Sequence, residues 1–200
     1  MVKTIKNALL TPLTIIINQM INTGIFPDKL KLAKVCPIYK KDDENLFTNY
    51  RPISLLPAIS KIFEKVIFRQ LYDYFQIKKL FYNSQYGFRT EHSTEFAALE
   101  VIDRILIEMD ENEIPINIYL DLSKAFDTLD HNILLYKLNH YGISGSSLKL
   151  IESYLTNREQ YVEIDNTKSK TQKIKTGVPQ GSILGPLLFL IYINDIAYIC

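Results

Sequence analysis

Cysteine is scarce in this chain, with two residues, Cys36 and Cys200, at opposite ends of the 200. Neither stands at metal-ligand spacing, so neither a disulfide framework nor a cysteine-based zinc site is indicated. Cys36 lies in an apolar run and is expected as a buried free thiol in a reducing, intracellular setting. His92, His131 and His140 show no metal spacing either and read as surface or capping side chains. Net charge is almost absent: 23 Lys/Arg against 22 Asp/Glu leave +1, which excludes a uniformly basic nucleic-acid coat. The apolar run 183–193 is far short of the ~20 residues a membrane span needs, and Gly185-Pro186 breaks it. The opening residues, lysines followed by an apolar stretch, are interrupted by Pro12 and lead to no small-residue cleavage site, so no signal peptide is read there. There is no internal repeat, low-complexity stretch or linker.

What is present is an ordinary globular composition, 47% apolar, enough for one large domain or two lobes sharing a core. The charge is unevenly spread. Residues 1–100 carry 14 Lys/Arg and 9 Asp/Glu, a balance of +5, while residues 101–200 carry 9 and 13, a balance of −4. A basic half beside an acidic half suits phosphate binding on one side and cation binding on the other.

The local pattern predicts an α+β chain in the order α-ββ-αα-β-αα-ββ-α. Thr11 and Pro12 are expected to open a first helix that Gly24 closes. Strands are expected at 32–39 and 50–56, joined by the polar tip 40–45. Pro57 starts a helix to about Phe75, with Ile59, Ile62, Phe63, Val66, Ile67, Leu71 and Phe75 on its apolar face. Ser93 caps a helix to about Asp110. Ile116, Ile118 and Leu120 alternate with Asn117 and Tyr119, which predicts a strand delivering Asp121 to its exposed end. Asp130 caps a helix that Gly142 ends, and 146–156 is another. A hairpin of 158–164 and 170–176 turns at Asp165-Asn-Thr, and 184–197 is the last helix.

Two segments carry chemistry. Asp121 follows apolar strand positions, and a bare carboxylate there calls for a cation. The run Gly177-Val-Pro-Gln-Gly-Ser-Ile-Leu-Gly-Pro186 combines glycines, which let backbone approach a ligand closely, with Pro179 fixing a turn into a helix. With Ile118-Tyr-Leu-Asp-Leu-Ser-Lys-Ala-Phe-Asp-Thr-Leu-Asp-His131, this run resembles the A and B motifs of reverse transcriptases, closest to those of LINE-type (non-LTR) retrotransposons. The resemblance covers nearly the whole chain. It implies the fingers and partial palm of a right-hand polymerase, with the thumb absent. An N-terminal helix would take 1–24, a fingers-like region 25–115, and a partial palm with both motifs 116–200.

The implied activity is RNA-directed DNA polymerisation: templated addition of deoxynucleotides to a primer 3′-hydroxyl. Its implied partners are an RNA template, a DNA primer and deoxynucleoside triphosphates, with no membrane and with an endonuclease fused upstream in the full element. The implied location is intracellular, nucleus or cytoplasm. Asp121 would be the catalytic acid, holding Mg²⁺ or Mn²⁺ together with the backbone of Leu122. Phe126 would wall off a ribose 2′-hydroxyl. Gln180 and Gly181 would support the incoming nucleotide, and Pro179 and Ser182 the template or primer side. Arg51, in Asn49-Tyr-Arg-Pro-Ile-Ser54, would reach the triphosphate with its fork of donors. Lys40 and Lys41 lie across that hairpin. Gln85-Tyr-Gly-Phe-Arg89 matches the segment lining the template path, with Arg89 on template backbone and Tyr86 or Phe88 stacking on a base. The lysines at 168, 170, 173 and 175 would touch a duplex backbone or guard a sheet edge.

The family's third motif, an aromatic-Ala-Asp-Asp turn, does not occur before Cys200, and the one acid after Phe189 is Asp195. These 200 residues are therefore expected not to polymerise alone. Two other readings stay open: a catalytically inactive nucleic-acid-binding remnant, and a group II intron maturase-like protein.

Overall fold

A computed structural model describes residues 6–165 and 167–198; Met1, Cys200 and the middle residue of the expected 165–167 turn, Asn166, lie outside them. Helix α1 spans Lys6–Thr23 and carries Pro12 inside it, so the start expected at Thr11-Pro12 is corrected to an earlier turn. The reason is tertiary. Leu9, Leu13 and Ile17 line one groove with Ile62 of the next helix, so the apolar stripe continues through the proline. Gly24 does end the helix, at φ +71°, its amide donating to Met20 O at 2.8 Å. A Cβ there would meet Lys149 Cβ at 2.7 Å.

Strands β1 (Leu32–Tyr39) and β2 (Tyr50–Leu55) form the expected antiparallel hairpin, with Tyr39 opposite Tyr50 and Lys34 opposite Leu55. Ala33 and Val35 point into the core, while Lys34 points out and meets Glu163 at 3.2 Å. Cys36 is only half-buried, a correction to the buried thiol expected of it. It lies toward the outer end of β1, where cover from the core runs out. Across β1 lies β3 (Glu159–Ile164), parallel, with Val35 opposite Val162. Short strands β4 (Thr167–Lys168) and β5 (Gln172–Lys173) pair antiparallel with β3, which makes the sheet mixed.

Helix α2 (Ala58–Ile77) follows Pro57 and buries Phe63, Ile67, Leu71 and Phe75. Its inward face is rotated from the expected one: Ile59 is exposed, and Ser60 and Glu64 are fully buried. Helix α3 (Thr94–Asp110) is capped by Ser93 Oγ, which accepts from Phe96 N at 3.3 Å, yet it buries none of its residues. Helices α4 (His131–His140), α5 (Gly145–Leu155) and α6 (Gly185–Ile193) complete the core. Leu134, Leu138, Leu155, Leu187, Leu188 and Leu190 are almost wholly removed from water there. The last expected helix is shorter than 184–197: α6 stops at Ile193, and a 3-10 turn, Ile196–Tyr198, follows.

The strand expected at 116–121 is absent. The chain from Glu113 to Leu122 is irregular, and Ile114, Ile116, Ile118 and Leu120 are 79–89% exposed. Alternating apolar residues make a strand only where another strand accepts their ladder, and the five-stranded sheet does not reach them. Among the described residues no helix is long and apolar enough to cross a membrane.

Candidate nucleotide and template site

The segment after β5 is bound to the segment before α4 along its length. Gly177 N donates to Leu129 O at 2.7 Å, and Val178 N to Phe126 O at 2.8 Å. Thr176 Oγ1 donates to Asp127 O at 3.1 Å, and His131 Nε2 bonds Gly177 O at 2.8 Å. His131 is therefore a cross-link and not the surface or capping side chain expected from its position. Gly177 takes φ +81°, and a Cβ on it would stand 2.6 Å from Phe126 O and 2.7 Å from Asp127 Cα. Only glycine fits that crossing.

The turn beyond is tied to the β2 end of the sheet. Ser54 N donates to Gln180 O at 2.7 Å. Gly181, at φ +106°, brings its Cα so close that a Cβ would lie 2.9 Å from Ser54 O. Gln180 Nε2 donates to Asp127 Oδ1 at 2.9 Å, which fixes the carboxamide with Oε1 turned from that carboxylate. Ser182 is buried; its Oγ donates to Pro179 O at 2.8 Å and accepts from Gly185 N at 3.0 Å. Between these pieces opens a cleft of about 340 Å³, lined by Pro52, Ser54, Asp127, Gln160, Lys175 and Gln180 among others.

Phe126 is half-buried; its ring lies 4.8 Å from Phe189 and 5.9 Å, edge-on, from Phe88. Phe88 sits at φ +60° and is 54% exposed, so a stackable face remains beside Phe126. Tyr86 is committed instead: its hydroxyl donates to Glu100. That bond, together with Arg104 Nη2 donating at 2.6 Å, holds the Glu100 carboxyl below the usual carboxylate range, and the bond to Glu100 holds the Tyr86 phenol above its own. Arg89 is committed as well, donating to Tyr82 O at 3.0 Å and Gln85 O at 3.3 Å and lying 5.4 Å over the Phe81 ring. It organises its own loop. Arg51 is exposed on β2, opposite Ile38 and next to cleft-lining Pro52. Lys40 and Lys41 are exposed at the hairpin tip.

Asp121 and Leu122 are exposed on the irregular segment and do not line this cleft. Among the described residues no three His, Cys, Asp or Glu side chains come together as a cation site. One exposed carboxylate and a backbone carbonyl fall short of what Mg²⁺ requires. The donor set present is thus not by itself a metal site.

Sequence reasoning gave no site role to Asp127, His131, Thr176 or Glu64. The first three gave no signal, since each bond crosses between the two segments. Glu64 did give one: with Ser60 it interrupts the apolar stripe of α2 at a four-residue spacing, and both prove inward.

The sequence family described as "Reverse transcriptase (RNA-dependent DNA polymerase)" matches residues 38–198, and the chain belongs to that family. Within it, the similarity is to the LINE-type, non-LTR branch. The chain is 34% identical to the "RNA-directed DNA polymerase from mobile element jockey" of Drosophila melanogaster, over 92% of its own length and 20% of the relative's. It is 33% identical to the "Probable RNA-directed DNA polymerase from transposon BS" of that species, again over 92% and 20%. For the "Probable RNA-directed DNA polymerase from transposon X-element" the identity is 34%, with the same coverage. The chain thus spans about a fifth of the length of the curated relatives it matches.

Proposed function

We propose that the chain forms the fingers, about 25–115, and part of the palm, 116–200, of the RNA-directed DNA polymerase of a non-LTR retrotransposon. Helix α1, Lys6–Thr23, braces that unit. The observation that carries this reading is the single corner where segment 126–131, segment 176–182 and strand β2 are hydrogen-bonded around one cleft.

The reaction is attack of a primer 3′-hydroxyl on the α-phosphorus of a deoxynucleoside triphosphate, with pyrophosphate leaving. Most of its catalysis is positioning. Gln180, with Gly181, faces the nucleotide and its templating base, and its amide orientation is set by Asp127. Pro179 and Ser182 shape the turn beneath the template. Phe126 presents an aromatic wall to C2′ of the sugar and disfavours a ribonucleotide. Arg51 lies at the edge of the cleft, where its guanidinium meets phosphate oxygens in pairs. Arg89 serves the template path chiefly by holding the loop that presents Phe88. Polymerases of this family work with divalent metal ions, Mg²⁺ or Mn²⁺ here, and Asp121 with the Leu122 carbonyl is the anchor these residues offer. The further anchors come from outside the described residues. The length of the relatives leaves room for an endonuclease upstream, and an RNA template with a DNA primer places the work inside the cell, in nucleus or cytoplasm.

The isolation of Asp121 favours a second reading, in which these residues bind nucleic acid and nucleotide but do not polymerise alone. Primer extension on poly(rA)–oligo(dT) with dTTP and Mg²⁺ separates the two, run with the 200-residue chain and with the full open reading frame that encodes it. Extension by the latter that vanishes in Asp121→Asn supports the polymerase reading. Salt-sensitive binding without extension in either supports the second. Activity of Asp121→Asn within tenfold of wild type, a barrier change of only ~1.4 kcal/mol, overturns the role given to that acid.

A further inference from the structure

Helix α6 begins without a side-chain cap from its own N-terminal flanking residue, Leu184. The amides of Ile183 and Leu184 would be left unpaired in a buried place, were it not for Glu64 of α2. Its Oε2 accepts from Ile183 N at 2.7 Å and from Leu184 N at 3.3 Å. Its Oε1 accepts from Ser60 Oγ, one turn earlier, at 3.2 Å. Glu64 and Ser60 are both fully buried. A carboxylate without water is tolerated there because it faces the positive end of a helix dipole and receives charge-assisted bonds. Its charge is felt nearby: after burial itself, the Glu64 carboxylate is the largest influence raising the Tyr154 phenol above its ordinary pKa.

The turn carrying Gln180 is thus gripped on two sides. Ser54 N holds Gln180 O from the sheet, and Glu64 holds the amides of 183 and 184 from α2. Between them Ser182 Oγ closes the turn on itself, from Pro179 O to Gly185 N.

We infer that Glu64 is a positioning residue for the nucleotide site: its carboxylate clamps the backbone at 183–184 and so holds Gln180 at the cleft. This rests on the reading of Gln180 as nucleotide-facing. The clamp itself is independent of that reading and is tested separately. Glu64 touches no substrate; it acts through two backbone amides of the segment that does.

The test uses three variants. Glu64→Gln keeps the grip, because the carboxamide oxygen accepts both amides while its NH₂ donates to Ser60 Oγ. Glu64→Asp keeps the charge but draws it back by one methylene, and Glu64→Leu removes the acceptor. Amide hydrogen exchange is followed at Ile183 and Leu184 in the 200-residue chain, and KM and kcat for dTTP in the full open reading frame. Glu64→Asp and Glu64→Leu are expected to speed exchange at those two amides at least tenfold while α4 keeps its protection. In the same variants KM for dTTP rises about tenfold, ~1.4 kcal/mol of binding, with kcat changing less. Glu64→Gln stays within about threefold on both readouts, a rescue that a charge-only role does not give, while the loss in Glu64→Leu, which keeps comparable bulk, separates the acceptor from packing. Should Glu64→Leu fail to fold, Glu64→Asp decides. Unchanged exchange at 183 and 184 in Glu64→Asp overturns the clamp. Faster exchange with an unchanged KM leaves the clamp but overturns its role in the nucleotide site. A wild-type protein without dTTP incorporation overturns the polymerase reading while the exchange data still judge the clamp.

Discussion

Two parts of this chain were marked by sequence patterns of similar strength, and the structure treats them oppositely. The corner of 126–131, 176–186, β2 and Glu64 closes on itself: Asp127, His131, Thr176, Gln180 and Glu64 each find a partner from a distant part of the chain. The stretch from Thr94 to Leu122 opens outward: α3 buries no residue, and the segment after it has its isoleucines in water. The difference teaches that a motif is a statement about partners. The Gly-Val-Pro-Gln-Gly turn needs backbone approach from elements already present. The Asp121 segment needs a neighbouring strand, and the sheet of β1–β5 does not supply one.

Substitutions can break this contrast, and the largest effect belongs in the closed corner. Gly177→Ala puts a methyl 2.6–2.7 Å from the backbone of Phe126 and Asp127, at a positive φ. We expect a loss of about 3 kcal/mol or more in urea unfolding, the sum of left-handed strain and overpacking. A loss below about 1 kcal/mol would mean that the two segments are not docked as described. Next comes Leu134→Ala in α4, whose side chain is fully buried. The cavity it leaves is expected to cost about 2–5 kcal/mol by the same measurement.

Asp130→Ala is smaller. Asp130 Oδ1 accepts from Asn132 N at 2.8 Å and Ile133 N at 3.0 Å, so its removal exposes two amides of the first turn of α4. About 1 kcal/mol of stability should go with it. At the bottom of the scale, Ile118→Ser in the open segment is expected to change stability by less than about 0.5 kcal/mol, because the isoleucine is already 80% exposed. A large loss there would show that the segment is packed after all.

Acid offers a gentler probe of the open side. Glu100 of α3 accepts from Ser84 Oγ, Tyr86 and Arg104, and these bonds hold its carboxyl below the ordinary value. A depressed carboxylate stabilises the folded arrangement above its unfolded pKa and loses that contribution as pH falls through the folded one. Tyr86 fluorescence should therefore change at low pH, and Glu100→Gln should remove that transition. No change on acidification would mean that the 82–90 loop is not held through Glu100.

The legible parts of the fold were those settled locally. Ser93 and Asp130 cap helices where Ser and Asp should, Gly24 ends α1, and the β1–β2 hairpin falls within a residue of its predicted bounds. The illegible parts were settled at a distance. Pro12 argued for a helix start, but the apolar groove between α1 and α2 carries the helix back to Lys6. The 116–121 alternation is a true strand signal without a ladder to join. In the site, glycines 177 and 181 were readable because only glycine permits such approaches. Glu64 was marked only as a break in an apolar stripe, since its partner shows only when α6 is in place.

The central claim is that the closed corner is a preformed nucleotide and template site, whereas the Asp121 segment awaits a neighbour. Amide hydrogen exchange on the 200-residue chain, alone and with an RNA–DNA primer–template plus dTTP, tests both halves at once. The account predicts slow exchange at 177–185 and near-solvent exchange at 114–122 in the free chain, with ligand-induced protection at 52–54 and 178–181. Equal exchange across the two regions, or a ligand response that bypasses Gln180 and β2, would contradict it.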